Sequence, residues 1–268
     1  MRADMLYTGT VQSCGKILEI YAIVQQKRYN AVHKSVYGLS YDLYLMQFAT
    51  YFISLYCTVI YKYSELAARQ FSDRFPLYYS LNAEPIPISM PILLIDLVML
   101  AVSSIVIFQL WKYRATRNVK QGTSLLLICI FLMILIFSYF TYICAEYNLP
   151  ERNSGRFGVY YIEHVNYLWV IGQFLSAVKY LPQISLNWMG ISTKGLSPKY
   201  LKISIIATSI LQASNLCSFI DNLEFYEWPF NLTPRVVSFL QLIWLGIIYY
   251  QHYYAYAMNK PYLKRIYE

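Results

Sequence analysis

Apolar residues gather in seven long stretches, at about residues 8–26, 39–61, 88–111, 123–145, 165–186, 200–220 and 235–257, and the segments between them hold most of the charge. Each stretch is long enough to cross a ~30 Å hydrocarbon core as a helix, for which about 20 residues suffice. A helix is also the element that satisfies its backbone hydrogen bonds where no water is available. The pattern therefore predicts an all-α integral membrane protein with seven transmembrane helices. The first stretch is the most polar: Lys16 and Glu19 interrupt it at a spacing of three, which allows them to pair on one helix face.

The loops alternate in charge. Lys27, Arg28 and Lys34 follow the first stretch; Lys112, Arg114, Arg117 and Lys120 the third; Lys194, Lys199 and Lys202 the fifth; and Lys260, Lys264 and Arg265 the last. The other loops are mixed or acidic, with Glu65, Asp73 and Glu84, then Glu146, Glu151 and Glu163, then Asp221, Glu224 and Glu227. By the positive-inside bias the basic loops and the C-terminus are cytosolic and the N-terminus is luminal. Composition agrees: 57% of residues are apolar and 13% charged, against roughly 25% charged in soluble domains. The net charge of +8 is then a topology signal, and no nucleic-acid partner is expected. Arg2 and Asp4 precede no compact apolar region, so a cleaved signal peptide is not expected either.

One phrase occurs twice without a gap. Gln26, Asn30, Ser35, Gly38, Leu39 and Ser40 return 157 residues later as Gln183, Asn187, Ser192, Gly195, Leu196 and Ser197. That offset lays the first stretch on the fifth and the second on the sixth. It implies two parallel three-helix repeats joined by a connector helix, 3+1+3, an organisation found in carriers whose site lies between the halves. The repeats are residues 1–112, with the first motif at 26–42, and 151–268, with the second motif at 179–197 and a cytosolic tail; residues 113–150 hold the connector. Pro182 removes a helix hydrogen bond, so it acts as a hinge or ends its helix. Gln183 and Asn187 share a face four residues apart, where their amides must bond across the bundle or line a wet cavity. Asn30 occupies the matching position of the first copy.

The string Lys179-Tyr-Leu-Pro-Gln-Ile-Ser-Leu-Asn187-Trp, followed by Ser192-Thr-Lys-Gly-Leu-Ser197, resembles the second motif of PQ-loop proteins of the cystinosin-like branch. Residues Asn30 to Asp42 resemble that family's first motif. The resemblance implies a carrier that moves a small solute, typically an amino acid or cystine, from a lysosomal or vacuolar lumen to the cytosol together with protons. Two positions depart from the family pattern: Gln25 replaces the proline of the first motif, and Ser204 stands where a proton-coupling acid is found.

A charge near the bilayer centre costs at least ~2.5–3.5 kcal/mol on insertion scales, which singles out Asp96, flanked by Ile92-Leu-Leu-Ile95 and Leu97-Val-Met-Leu100. With serine at 204 and no basic residue near it in sequence, Asp96 is the candidate proton site, against a structural carboxyl. Asp42 matches an acidic position of the first motif and also fits a helix cap or first turn. Lys179 either snorkels to the cytosolic surface or contacts an anionic substrate group or Asp42. Gln212, Ser214 and Asn215 fit helix-to-helix hydrogen bonding better than substrate contact. Tyr249, Tyr250, Tyr253, Tyr254 and Tyr256 fit an interfacial belt around His252.

The five cysteines have no framework or metal spacing. The sequon at Asn231 hugs the last stretch and precedes Pro234, so glycosylation is not expected. No nucleophile with a base, metal-ligand spacing or phosphate loop appears, so neither an enzyme nor a cofactor is expected. The expected function is secondary transport of a small polar solute. Its rival is a non-transporting PQ-loop protein acting in membrane trafficking or lipid asymmetry.

Overall fold

The computed structural model describes residues 3–79, 86–118, 121–146, 155–220 and 228–259, and these are all-helical. The α-helices are α1 (Ala3–His33), α2 (Tyr41–Tyr63), α3 (Glu65–Arg74), α4 (Met90–Lys112), α5 (Leu125–Glu146), α6 (Tyr161–Val178), α7 (Leu181–Gly190), α8 (Pro198–Ile220) and α9 (Arg235–Tyr250). Local chemistry sets several boundaries. Ser40 caps α2 by accepting from Leu43 N, and Ser64 ends α2 while its hydroxyl accepts from Ala67 N to start α3. Pro91 stands in the first turn of α4, where its missing N–H would have no helical partner.

Helix contacts close a ring: α1 packs on α4, α4 on α2, α2 on α6, α6 on α9, α9 on α8, and α8 back on α1. Helix α5 stands outside the ring against α6, and α7 reaches both α2 and α9. The polarity of this ring is inverted relative to a soluble bundle. Thr8, Gln12, Lys16, Glu19, Gln26 and Asn30, spaced three, four or seven apart along α1, are all buried, whereas Ile17, Tyr21 and Val32 face outward. On α5 only Leu127, Thr141, Cys144 and Ala145 of 22 residues are buried, and the rest is a nearly continuous apolar face. Water would penalise such a surface by roughly 25 cal/mol per Å² of apolar area; a bilayer does not. In lipid, cohesion comes from close packing and interhelical hydrogen bonds.

Among the described residues three helices, α2, α4 and α5, are each long and apolar enough to cross a membrane. The sequence pattern anticipated seven, and the difference has identifiable causes. Helix α1 carries Lys16, Glu19, Lys27 and Arg28. The 165–186 stretch is not one helix, because it breaks at Lys179–Tyr180 into α6 and α7. Helix α9 is 16 residues long and passes at Gln251 into a wider π-type turn. Of α8, residues 217–220 lie outside those with described side chains, and Lys199 and Lys202 open the remainder.

Candidate functional site

The two copies of the repeated phrase meet back to back at one end of the ring. Gly38 has a left-handed backbone, φ 75°, which glycine adopts without a steric cost. A Cβ on Gly195 would run into Tyr37 O and Gly38 C, so only glycine permits the crossing. Each glutamine then holds the opposite loop. Gln26 Nε2 donates to Gly195 O at 3.0 Å while its Oε1 accepts from Ser197 N at 2.9 Å. Gln183 Nε2 donates to Gly38 O at 2.9 Å while its Oε1 accepts from Ser40 N at 2.8 Å.

The asparagines extend the same pattern. Gln26 and Gln183 each donate to the asparagine four residues on, Asn30 and Asn187, at 2.8 Å. Asn30 passes the chain to Gln109 of α4 at 3.3 Å, and Asn187 to Gln251 after α9 at 2.9 Å. Each of these buried amides is thus hydrogen-bonded through both its oxygen and its nitrogen, and together they close one end of the bundle.

Between the two arms of the ring lies a cavity of about 40 Å³, room for a few waters. Lys16, Glu19, Asp96 and Lys179 all line it, beside Thr50, Ser54, Ser176 and Gln241. Lys16 Nζ lies 2.6 Å from Asp96 Oδ1, and Ser54 Oγ donates to Asp96 Oδ2 at 2.9 Å. Lys179 Nζ lies 2.6 Å from Glu19 Oε1. Tyr51, itself buried, faces both carboxylates. At the far end the segment 228–234 covers the cavity: Asn231 bonds Ser89 N and O through its two amide atoms, at 2.9 and 2.7 Å, and Gln12 accepts from Thr233 N at 3.0 Å.

Several sequence expectations change here. Lys16 and Glu19 do not pair with each other, because each finds a partner across the ring. Lys179 does not snorkel: it is 2% exposed and ion-paired with Glu19, in contact with neither Asp42 nor solvent. Asp96 is not a lone acid, because Lys16, 80 residues away in sequence, neutralises it. Asp42 lies in the first turn of α2 and accepts from Ser124 N at 3.0 Å, which secures the start of α5; it does not line the cavity. Gln183, Asn187 and Asn30 likewise lie in the loop lock and not on the cavity wall.

Pro182 is the second residue of α7. Gln183 N and Ile184 N both turn to Tyr180 O, and α6 ends just before Lys179. In the first copy α1 runs through the matching residues unbroken. The break thus sets Lys179 at a helix junction on the cavity wall.

Glu19, Lys16, Ser54 and Tyr51 were not among the sequence candidates for the site. The signal for the first two was present, since Gln12, Lys16, Glu19, Gln26 and Asn30 share one helical face. Other polar residues join helices: Asn215 with Gln12 and Ser238, Gln212 with Ser238, and Ser214 with Thr8. His252 Nδ1 meets Thr193 Oγ1 at 2.8 Å and ties the turn after α9 to the second loop. Asn231 of the sequon is buried and bonded to Ser89. Cys217 lies outside the residues with described side chains, and among the described residues no three metal-ligating groups converge.

No family model matches the chain. The chain is 46% identical over 256 residues, 95% of its length and 97% of the relative's, to the uncharacterized protein YCL002C of Saccharomyces cerevisiae.

Proposed function

We propose that this chain, which belongs to the same family as that yeast protein, is a secondary carrier of a small polar, amino-acid-like solute in a vacuolar or lysosomal membrane. In this reading it is a PQ-loop protein of seven spans. Helices α1, α2 and α4 form one repeat, α6 with α7, α8 and α9 the other, and α5 is the connector; the N-terminus is luminal and the C-terminus cytosolic.

One observation carries the reading: two buried ion pairs line a cavity that residues of both repeats enclose. Desolvating each ion costs several kcal/mol, and apolar residues of similar volume are often as stabilising or more so. A bundle selected for stability alone has no use for four such charges, whereas a carrier needs charged groups that a solute can engage. The matched loop lock at one end and the 228–234 segment at the other supply a closure on each side of the cavity, as alternating access requires. The test is uptake of a radiolabelled amino-acid panel by liposomes holding the purified protein. Accumulation above protein-free liposomes supports the carrier, and its absence across the panel removes it. Tags on the two ends, probed for accessibility in sealed vesicles, must report opposite sides.

A second reading, action on lipids or in trafficking, is favoured by a separate feature. An apolar groove of about 710 Å³ opens between α2, α5 and α6, lined by Phe48, Phe52, Phe131, Ile134 and Leu168, with His164 on its wall. His164 Nδ1 meets Thr141 Oγ1 at 2.8 Å. A fluorescent-lipid scramblase assay in the same liposomes separates the two readings.

A further inference from the structure

We infer that the central cavity takes a zwitterion by exchanging ion pairs, so that no proton is needed to balance charge when solute binds. The inference rests on the carrier reading and names its substrate class and its means of charge compensation.

The cavity holds two cations and two anions, and each pair joins a residue of α1 to a residue elsewhere in the ring: Lys16 to Asp96 on α4, and Glu19 to Lys179 at the α6–α7 junction. The two α1 members are three residues apart on one helix, where Cβ atoms lie about 5–6 Å apart and side chains of opposite charge pair. In this structure both are paired outward, and they are able to pair with each other once their partners are taken. A solute bearing an ammonium and a carboxylate takes both partners at once, in a cavity that must widen beyond the about 40 Å³ it has in this structure. Its ammonium replaces Lys16 at Asp96, and its carboxylate replaces Glu19 at Lys179. Lys16 and Glu19 then close on one another along α1.

Every charge is paired before and after, so the low-dielectric cavity never holds an isolated ion, which would be strongly destabilising. A solute with only one charge breaks this balance. A cation displaces Lys16 while Lys179 still holds Glu19, and an anion displaces Glu19 while Asp96 still holds Lys16; either leaves one buried charge without a partner. The groups facing the two pairs are the Tyr51 phenol, with Tyr180 and Tyr200 beside Glu19, and the hydroxyls of Thr50 and Ser54. None of these carries a charge at neutral pH, so the compensation lies within the four ions.

The experiment is exchange across liposomes holding the full chain, at equal pH and with an acidic donor side, using the protein amino acids, alaninamide as the cation and N-acetylalanine as the anion. Wild type is expected to exchange one or more zwitterionic amino acids at the same rate with or without the pH difference, and alaninamide and N-acetylalanine at least about tenfold more slowly. Lys16→Met leaves Asp96 free and is expected to shift preference to alaninamide. Glu19→Gln frees Lys179 and is expected to shift it to N-acetylalanine.

Exchange that requires the pH difference, or a preference order unchanged in both variants, would overturn the inference. So would wild-type movement of only the cations or only the anions, although the carrier reading would survive that result. If wild type moves nothing in the panel, the carrier reading itself fails. The wild-type arms decide the matter even where a variant does not fold.

Discussion

Gln26 and Gln183 make the same pair of backbone contacts in opposite directions: each donates to a glycine carbonyl and accepts from a serine N–H in the loop that follows the other's helix. All four backbone groups belong to buried or half-buried turns, where an unpaired polar group costs about 1–3 kcal/mol. The glutamines thus stand in for strand partners that an all-helical chain cannot offer, and each half of the molecule completes the other.

From this follows a stability prediction. Gln26→Ala and Gln183→Ala should each lower stability by about 2–4 kcal/mol, since each strands two backbone groups and a buried asparagine. The double variant should lose less than the sum, because one freed loop already loosens the crossing that the other glutamine holds. Thermal unfolding of the detergent-purified protein measures this; additive losses would mean that the two locks are independent.

Gly195 allows a sharper test. Its missing Cβ is replaced in space by backbone atoms of Tyr37 and Gly38, which cannot swing aside as a side chain would. Gly195→Ala should therefore separate the two loops and lower the yield of monodisperse protein severely. Gly122→Ala, where nothing lies within 4 Å of the added carbon, should behave as wild type in the same size-exclusion assay.

Much of this arrangement was legible in the sequence, and the reason is locality. The repeated phrase marks the loop lock directly, and the polar face of α1 is visible as a run of helical spacings. What could not be read was the pairing of charges. Lys16 sits three residues from Glu19 yet bonds Asp96, and Lys179 bonds Glu19 from 160 residues away; such choices depend on which helices adjoin in the ring. Asp96 therefore looked isolated, and Lys179 looked free to reach solvent. The break before Pro182 was visible as a proline, but its consequence, a charged residue placed at the junction, needed the fold. Helix α3 was missed because its sequence, with Glu65, Arg69, Asp73 and Arg74, reads as a polar loop.

The Lys16–Asp96 pair should show strong coupling. Removing one partner leaves a buried ion alone, so Lys16→Met or Asp96→Asn alone should cost about 3–5 kcal/mol. The combined variant replaces the pair with neutral groups and should recover most of that loss. A double-mutant cycle on thermal unfolding tests it, and a double variant as unstable as the sum of the singles would show that the two charges do not rely on each other.

Pro182 bears on motion. In α1 the chain runs as a continuous helix past Gln25, whereas in the second copy Pro182 offers no N–H, and Gln183 and Ile184 both bond Tyr180 instead. Pro182→Ala restores a donor, removes the ring that crowds the preceding turn, and lets α6 and α7 join. Alanine is a strong helix former, so folding and membrane insertion should be unharmed or slightly improved. Joining the helices would, however, rotate Lys179 away from the junction that now aims it at Glu19, and would remove the point about which the lower half of the helix can tilt. Solute exchange in liposomes should therefore slow by at least about tenfold while melting temperature holds or rises. Unchanged exchange would make Pro182 a terminator of α6 with no part in the cycle, and a fall in melting temperature would show that the break itself stabilises the bundle.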